Sequence, residues 1–248
     1  MNKIIILLLS TTYLLFAATD AQIEKYLSLS TAEEQLLQLQ SEFSAMQNSF
    51  SNKEENTPYD MELLSIRFKT YLKRHLSESE MDEVLQNYRN VAYLQFADAS
   101  LETFDANQTQ HYLKSLQDDE DAQSRMRLLE AINKALYKKE FIEIMFDELI
   151  KPLMQNGIGG QSIDKKMMQM QKETYVKAMI KKSQETNIYM LREFSLEDLE
   201  ALLKVVKTPS VQLETKTVYA ATAYALKEFF LSMASRYDVR KHQAKPTK

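Results

Sequence analysis

The sequence predicts an all-α fold: a multi-helix bundle built from two related helical units, preceded by a signal peptide. Three observations carry that expectation. Glycine occurs three times and proline four times in 248 residues. Average usage is roughly 7% and 5%, and so few turn-makers suit long helices better than a turn-rich β fold. Leu, Lys, Glu, Gln, Ala and Met, all good helix formers, are abundant. Apolar side chains recur at helical spacing over most of the chain.

Residues 1–21 read as the signal peptide. Lys3 supplies the positive start, Ile4–Phe16 is an apolar run, and Ala17, Ala18 and Ala21 offer small residues for cleavage. Thirteen residues make about 20 Å of helix, short of a hydrocarbon core of about 30 Å. The chain is therefore expected in the periplasm or outside the cell, with no transmembrane segment once the leader is gone. Loss of the leader removes Lys3 and leaves 30 basic against 35 acidic side chains, a formal charge of −5. That balance argues against general nucleic-acid binding, which needs a basic footprint. There is no cysteine, so neither disulfides nor a cysteine-linked lipid can hold the fold, which must rest on its core.

The N-terminal unit is expected over residues 22–110. Ala21–Leu29 and Thr31–Phe50 read as two helices, with Ser30 or Thr31 as the cap between them. A polar loop, Ser51–Thr57, is closed by Pro58. Met61, Leu64, Phe68, Tyr71 and Leu72 form the stripe of the next helix. Ser77 then opens another, running to about Phe104, with Glu80 completing a capping box and Met81, Val84, Leu85 and Tyr88 as its stripe. Asp105–Gln123 is polar and marks the boundary between units; its acidic run Asp118–Asp121 reads as a solvated helix start.

The C-terminal unit is expected over residues 111–241, followed by a basic tail over residues 242–248. Ala122–Asn156 reads as one long helical region bent at Pro152, whose ring removes a helix hydrogen bond. All three glycines fall in Gly157, Gly159 and Gly160, a helix stop and turn. Helix resumes over Ser162–Leu191. Ser195 and Asp198 form a second capping-box spacing, with Leu196, Leu199, Leu202, Leu203 and Val206 as the stripe behind it. Pro209 cannot sit inside that helix and is suited to the first position of a last one, capped by Thr208 and running to about Arg240. Ala220, Ala221, Ala223 and Ala225 let a neighbour pack closely there.

The two Ser-capped stretches align at an offset of 118 residues. Tyr71/Tyr189, Arg74/Arg192, Ser77/Ser195 and Leu85/Leu203 are identical pairs. Self-similarity at a long period points to a repeated structural unit. The run Phe194-Ser195-Leu196-Glu197-Asp198-Leu199, followed by Lys207-Thr208-Pro209-Ser210, also resembles the signature of a widespread bacterial family of exported, all-helical domains of unknown function. The likeness covers Leu128–Ala225 well and Ile23–Ala99 more faintly. Where that family has glycine two residues after the proline, this chain has Val211, and the first copy has Val91 in place of the proline. The resemblance implies export and helical architecture, and carries no catalytic residue with it.

No motif specifies a chemistry. His75, His111 and His242 show no i, i+4 pair and no H-E-x-x-H, so no metal site is expected. The glycine cluster lacks the Lys-Ser/Thr of a phosphate loop, and G-x-S-x-G is absent. No catalytic residue and no cofactor are assigned. Met167 and Met170 share a helix face and could offer thioethers to copper(I), but packing in a core or interface is the plainer reading. Asn107 heads an N-x-T acceptor, with Asp105 two residues before it, and is the one candidate modification site for glycosylation; a chance match is the plainer reading. The expected role is a non-enzymatic interaction or accessory protein of the periplasm or envelope, with a protein partner there. The alternative is a carrier of an apolar ligand such as a lipid or acyl chain, and an enzyme of unrecognised type comes third.

Overall fold

A computed structural model describes residues 17–50, 59–102, 106–116, 122–156 and 164–236. Within these the protein is all-α, with twelve α-helices, one π-helical turn and a single isolated β-bridge, Ala17 with Ser77. The expected leader run Ile4–Phe16, the loop over residues 51–57, the acidic run, the glycine turn and the basic tail lie outside the described residues.

The first five helices form a compact set. Helix α1 (Asp20–Ser30) is opened by a capping box between Thr19 and Gln22. It ends at Thr31, whose φ of 57° is left-handed. A β-branched residue is strained in that region. The buried Thr31 hydroxyl is held there by its one proton, shared between the carbonyls of Ser30 (2.7 Å) and Ala97 (3.1 Å). Helix α2 (Ala32–Phe50) follows directly, and α3 (Glu62–His75) buries Leu64, Phe68 and Leu72 as its stripe required. Helix α4 (Glu78–Asn87) starts at the Ser77–Glu80 capping box.

The single helix expected from Ser77 to about Phe104 is in fact two. Helix α5 (Val91–Ala99) starts afresh at Asn90, whose side chain accepts from the Tyr93 N–H at 3.1 Å. Asparagine is a strong N-cap, so the chain breaks here without the proline that breaks it at Pro209. The expected polar boundary also holds a helix, α6 (Ala106–Ser115), and residue 110 falls inside it. Tyr112 packs edge-on to Tyr189, tying α6 to the later part of the chain.

The region Ala122–Asn156 is broken more often than its proline requires. Helix α7 (Ala122–Leu136) stops at Tyr137. Helix α8 (Lys139–Met145) passes through a π-turn (Phe146–Ile150) into α9 (Lys151–Asn156). In that turn the Lys151 N–H reaches back to the Phe146 carbonyl, one residue further than in an α-helix. Pro152 has no N–H to offer the preceding turn, and the widened turn beside it absorbs the misfit. Helix α10 (Lys165–Met190) is capped by Asp164, α11 (Leu196–Val206) by the Ser195–Asp198 box, and α12 (Pro209–Arg236) begins at the proline. Leu199, Leu202 and Val206 are fully buried, whereas Leu196, counted in the same stripe, is 46% exposed. It occupies the first turn, ahead of the point where α11 enters the core.

Helix α12 organises the molecule. It packs against α3, α4, α7, α8, the π-turn, α9 and α11. Ala221, Ala223 and Ala225 are buried on it and Ala220 is half-buried, so the close approach expected of the alanines is realised at three of the four. The larger apolar cluster draws on α1 to α5 and on α7, α10, α11 and α12 together. Helix α5 packs on α11, and α12 on α4, so each set of helices lends an element to the other. A second cluster joins Leu64, Leu149, Ala223, Leu226 and Phe229, with Phe43 stacked on Phe229 at 4.9 Å.

Candidate functional site

Among the described residues, the carboxyl that burial displaces most from its ordinary value lies inside the larger cluster. Glu214 on α12 is 5% exposed. The Tyr88 and Tyr93 hydroxyls donate to its two carboxylate oxygens, the latter at 3.0 Å, and Tyr26 faces it from α1. The rings support one another: Tyr26 meets Tyr88 edge-on at 6.1 Å, and Tyr88 lies 5.0 Å from Tyr93. Burial pushes the Glu214 carboxyl up to about 7, and the phenol hydrogen bonds pull it partly back. Burial, and then the neighbouring carboxylate, push all three phenols well above the usual tyrosine value. The cluster ties α1, α4 and α5 to α12. Its groups are satisfied by one another and reached by almost no solvent, which suits it to holding helices rather than to meeting a substrate.

Arg125 on α7 makes the other concentrated polar contact. Its guanidinium donates to the carbonyls of Leu191, Arg192 (2.7 Å) and Phe194 (2.6 Å) at the end of α10. Leu191 is the C-cap of α10, and its carbonyl also accepts from the Phe194 N–H at 3.1 Å; Arg192 and Phe194 lie past the helix, in the turn that leads to Ser195 and α11. The guanidinium therefore ties α7 to the turn between α10 and α11, with its charge close to the negative end of α10. On the other strand of the comparison, Leu76 is the residue paired with Phe194 at the 118-residue offset. Its carbonyl accepts instead from the Ala18 N–H at 2.9 Å.

A solvent-facing cleft lies between α8 and α10. It encloses about 410 Å³ and is lined by Lys139, Glu173, Val176, Lys177, Ile180, Lys181 and Gln184. All but Lys139 lie on one face of α10. Val176 and Ile180 make an apolar floor, and three lysines stand at the rim. Lys139 and Lys181 are each paired along their own helix, with Glu143 (3.5 Å) and Glu185 (3.8 Å).

The residues singled out from sequence do not converge. Asn107 is exposed in the first turn of α6, while Thr109 of the same triplet is buried. His75 stacks on Tyr71 at 3.8 Å and contacts its carbonyl, His111 is exposed on α6, and His242 lies outside the described residues. Among the described residues no group of three His, Asp or Glu side chains could hold a metal. Met167 and Met170 are 51% and 59% exposed, so the core half of the packing expectation does not hold for them. They sit in the first two turns of α10, beyond the reach of the core. Sequence reasoning passed over Glu214 and Arg125. Glu214 had one available signal: it shares a helical stripe with Val211, Val218, Ala221 and Ala225, where an acid is out of place.

Comparison of the chain with protein-family models, with curated proteins and with solved structures finds no match.

Proposed function

We propose that the protein is exported and serves in the periplasm or cell envelope as a non-enzymatic interaction or accessory protein, built from two units of one helical plan. The carrying observation is apolar surface turned outward. Leu63 and Ile66 stand one turn apart on α3 at 38% and 53% exposure, and Met167 and Met170 repeat the pattern on α10. Exposed apolar side chains grouped on one helix face are common anchors for a partner, and methionine adapts to its shape. Export is supported by the apolar leader run ahead of Ala17, and the two-unit plan by the matching capping boxes at Ser77 and Ser195. Among the described residues no helix is long and apolar enough to cross a membrane. A photo-crosslinking residue at Ile66 or Met170 should capture a discrete envelope protein in intact cells, while one at exposed Glu200 should not. Equal capture at all three positions, or none, contradicts the reading.

The cleft beside α10 favours a second reading, a carrier of an apolar ligand with an anionic end. An apolar floor with a lysine rim is the chemistry such a molecule needs, and the volume lies within the usual range for small-ligand sites. Native mass spectrometry of protein purified from cells should then show a bound amphiphile that Val176→Asp removes.

A further inference from the structure

Two helices turn apolar side chains outward, and their charges set them apart. On α3 the cations that follow Leu63 and Ile66 are held within the molecule: Arg67 pairs with Glu228 at 3.6 Å, Lys69 with Glu24 at 3.0 Å and Lys73 with Asp20 at 2.6 Å. On α10 the cations stay free. Met167, Met170, Thr174, Lys177, Ala178 and Lys181 are all exposed and recur at helical spacing, so they form one outward row. No acid stands in that row, and Lys166 flanks its methionine end. Lys166 and Lys177 form no ion pair among the described residues. Lys181 meets only Glu185 of its own helix, at 3.8 Å, a surface pair of little strength. We propose, resting on the reading of the protein as an interaction protein of the envelope, that this row of α10 is its docking surface and that the occupant is an acidic amphipathic helix of the partner protein.

Charge selects both the place and the partner. The chain carries 35 acidic against 31 basic side chains, so an acid-free row with unpaired lysines departs from its average surface. Elsewhere the exposed charge is negative: α4 presents Glu78, Asp82 and Glu83, and α11 presents Glu197 and Glu200. An acidic segment is turned away from those faces and drawn to α10, because complementary potentials steer an encounter and like charges oppose it. The same rule sets α10 of one copy against α10 of another.

The shape of the row fits a helix. From Met167 to Lys181 it runs about 21 Å, roughly four turns. Met167 and Met170 offer apolar anchors that adapt to their neighbour. Thr174 and Ala178 are short, and Thr174 turns its hydroxyl back to the Met170 carbonyl at 2.9 Å, so the middle of the row lets a second helix come close. Lys177 and Lys181 also line the cleft between α8 and α10, whose floor of Val176 and Ile180 can take one apolar side chain of that helix. Glu173, the one acid in the lining, accepts from Gln169 at 2.8 Å. Helices bound in this way present anchors at i, i+3, i+4 and i+7. An anionic lipid surface shares the charge and fits less well. A helix lying in a bilayer interface needs a broad apolar face, and here the two methionines stand at one end, with Thr174 and Ala178 at the centre.

The test is photo-crosslinking from Met170 in intact cells, with and without Lys177→Glu and Lys181→Glu together in the full chain. Both lysines are exposed, so the double variant should keep the wild-type melting temperature. Its capture of the partner should fall roughly tenfold or more, because like charges then face each other. On the wild-type complex a carbodiimide, which joins an amine directly to a carboxylate, should link Lys177 and Lys181 to Asp or Glu residues at helical spacing in the partner. Changing those acids to lysine should restore capture by the double variant. Purified protein should not float with vesicles of phosphatidylglycerol and phosphatidylethanolamine. Capture at Met170 that the double variant leaves unchanged overturns the inference, as does a captured second copy of this chain, carbodiimide links without helical spacing, or vesicle binding that the double variant loses. Capture from Ile66 with none from Met170 also overturns it and leaves the interaction reading standing. No capture from either position removes both.

Discussion

At the scale of single residues, Glu214 shows how a buried charge makes stability depend on pH. Its folded-state value of about 7 lies above the ordinary 4.5. The folded protein therefore holds this proton over a range in which the unfolded chain has lost it. The contribution is fully present below about pH 4.5, declines as pH rises, and is gone above about pH 7. A rise of that size corresponds to about 3 kcal/mol. Glu214→Gln keeps an acceptor for the phenols and removes the titration. Urea unfolding from pH 4.5 to 8 should show wild-type stability falling relative to the variant, with Gln the more stable at pH 8. Parallel profiles would mean the carboxyl is not sealed as described. Arg125 makes the opposite case, a charge satisfied by three carbonyls. Arg125→Met should lose about 2–3 kcal/mol, the scale of a hydrogen bond to a charged group plus carbonyls left unpaired. Arg125→Lys should fall between, because lysine keeps the charge and loses the fork. Chemical denaturation of the two variants checks both figures.

At the scale of helices, beginnings are set by side chains and ends by what lies across the fold. Ser77 and Ser195 each exchange hydrogen bonds with an acid three residues on. Both starts were legible because hydroxyl, acid and stripe lie within one short stretch. The start at Asn90 was not: one amide inside a run that stays helical and aromatic on both sides gives little local contrast. Asn90→Ala should cost about 1 kcal/mol. If it left stability unchanged, the break between α4 and α5 would be owed to packing alone. The same limit applies to Arg125. Its three carbonyl acceptors stand more than sixty positions away and its fourth acceptor, the Tyr112 hydroxyl, thirteen, so nothing in its own helix marks it as anything but a charged side chain. The π-turn was half legible: Pro152 signals a disturbance, and the choice of a widened turn over a bend depends on how α8 and α9 lie against α12.

At the scale of the whole molecule, the apolar pattern made the fold class readable and left open how the pieces share a core. Stripes say which face of a helix is buried and not which helix covers it. Here α12 covers α3 and α4, and α11 is covered by α5, so residues distant in the chain complete one another's packing. Glu214 belongs to the same lesson: its acidity is plain in the sequence, but the three tyrosines that enclose it come from three other helices. A core shared in this way predicts that neither set of helices is stable without the other. The direct measurement is urea unfolding of the chain, with one fluorescent reporter placed at an exposed site on α4, a second on α10, and helix content followed by circular dichroism. All three signals should share one midpoint. Separate midpoints for the two reporters, with one half still helical after the other has melted, would contradict the shared core.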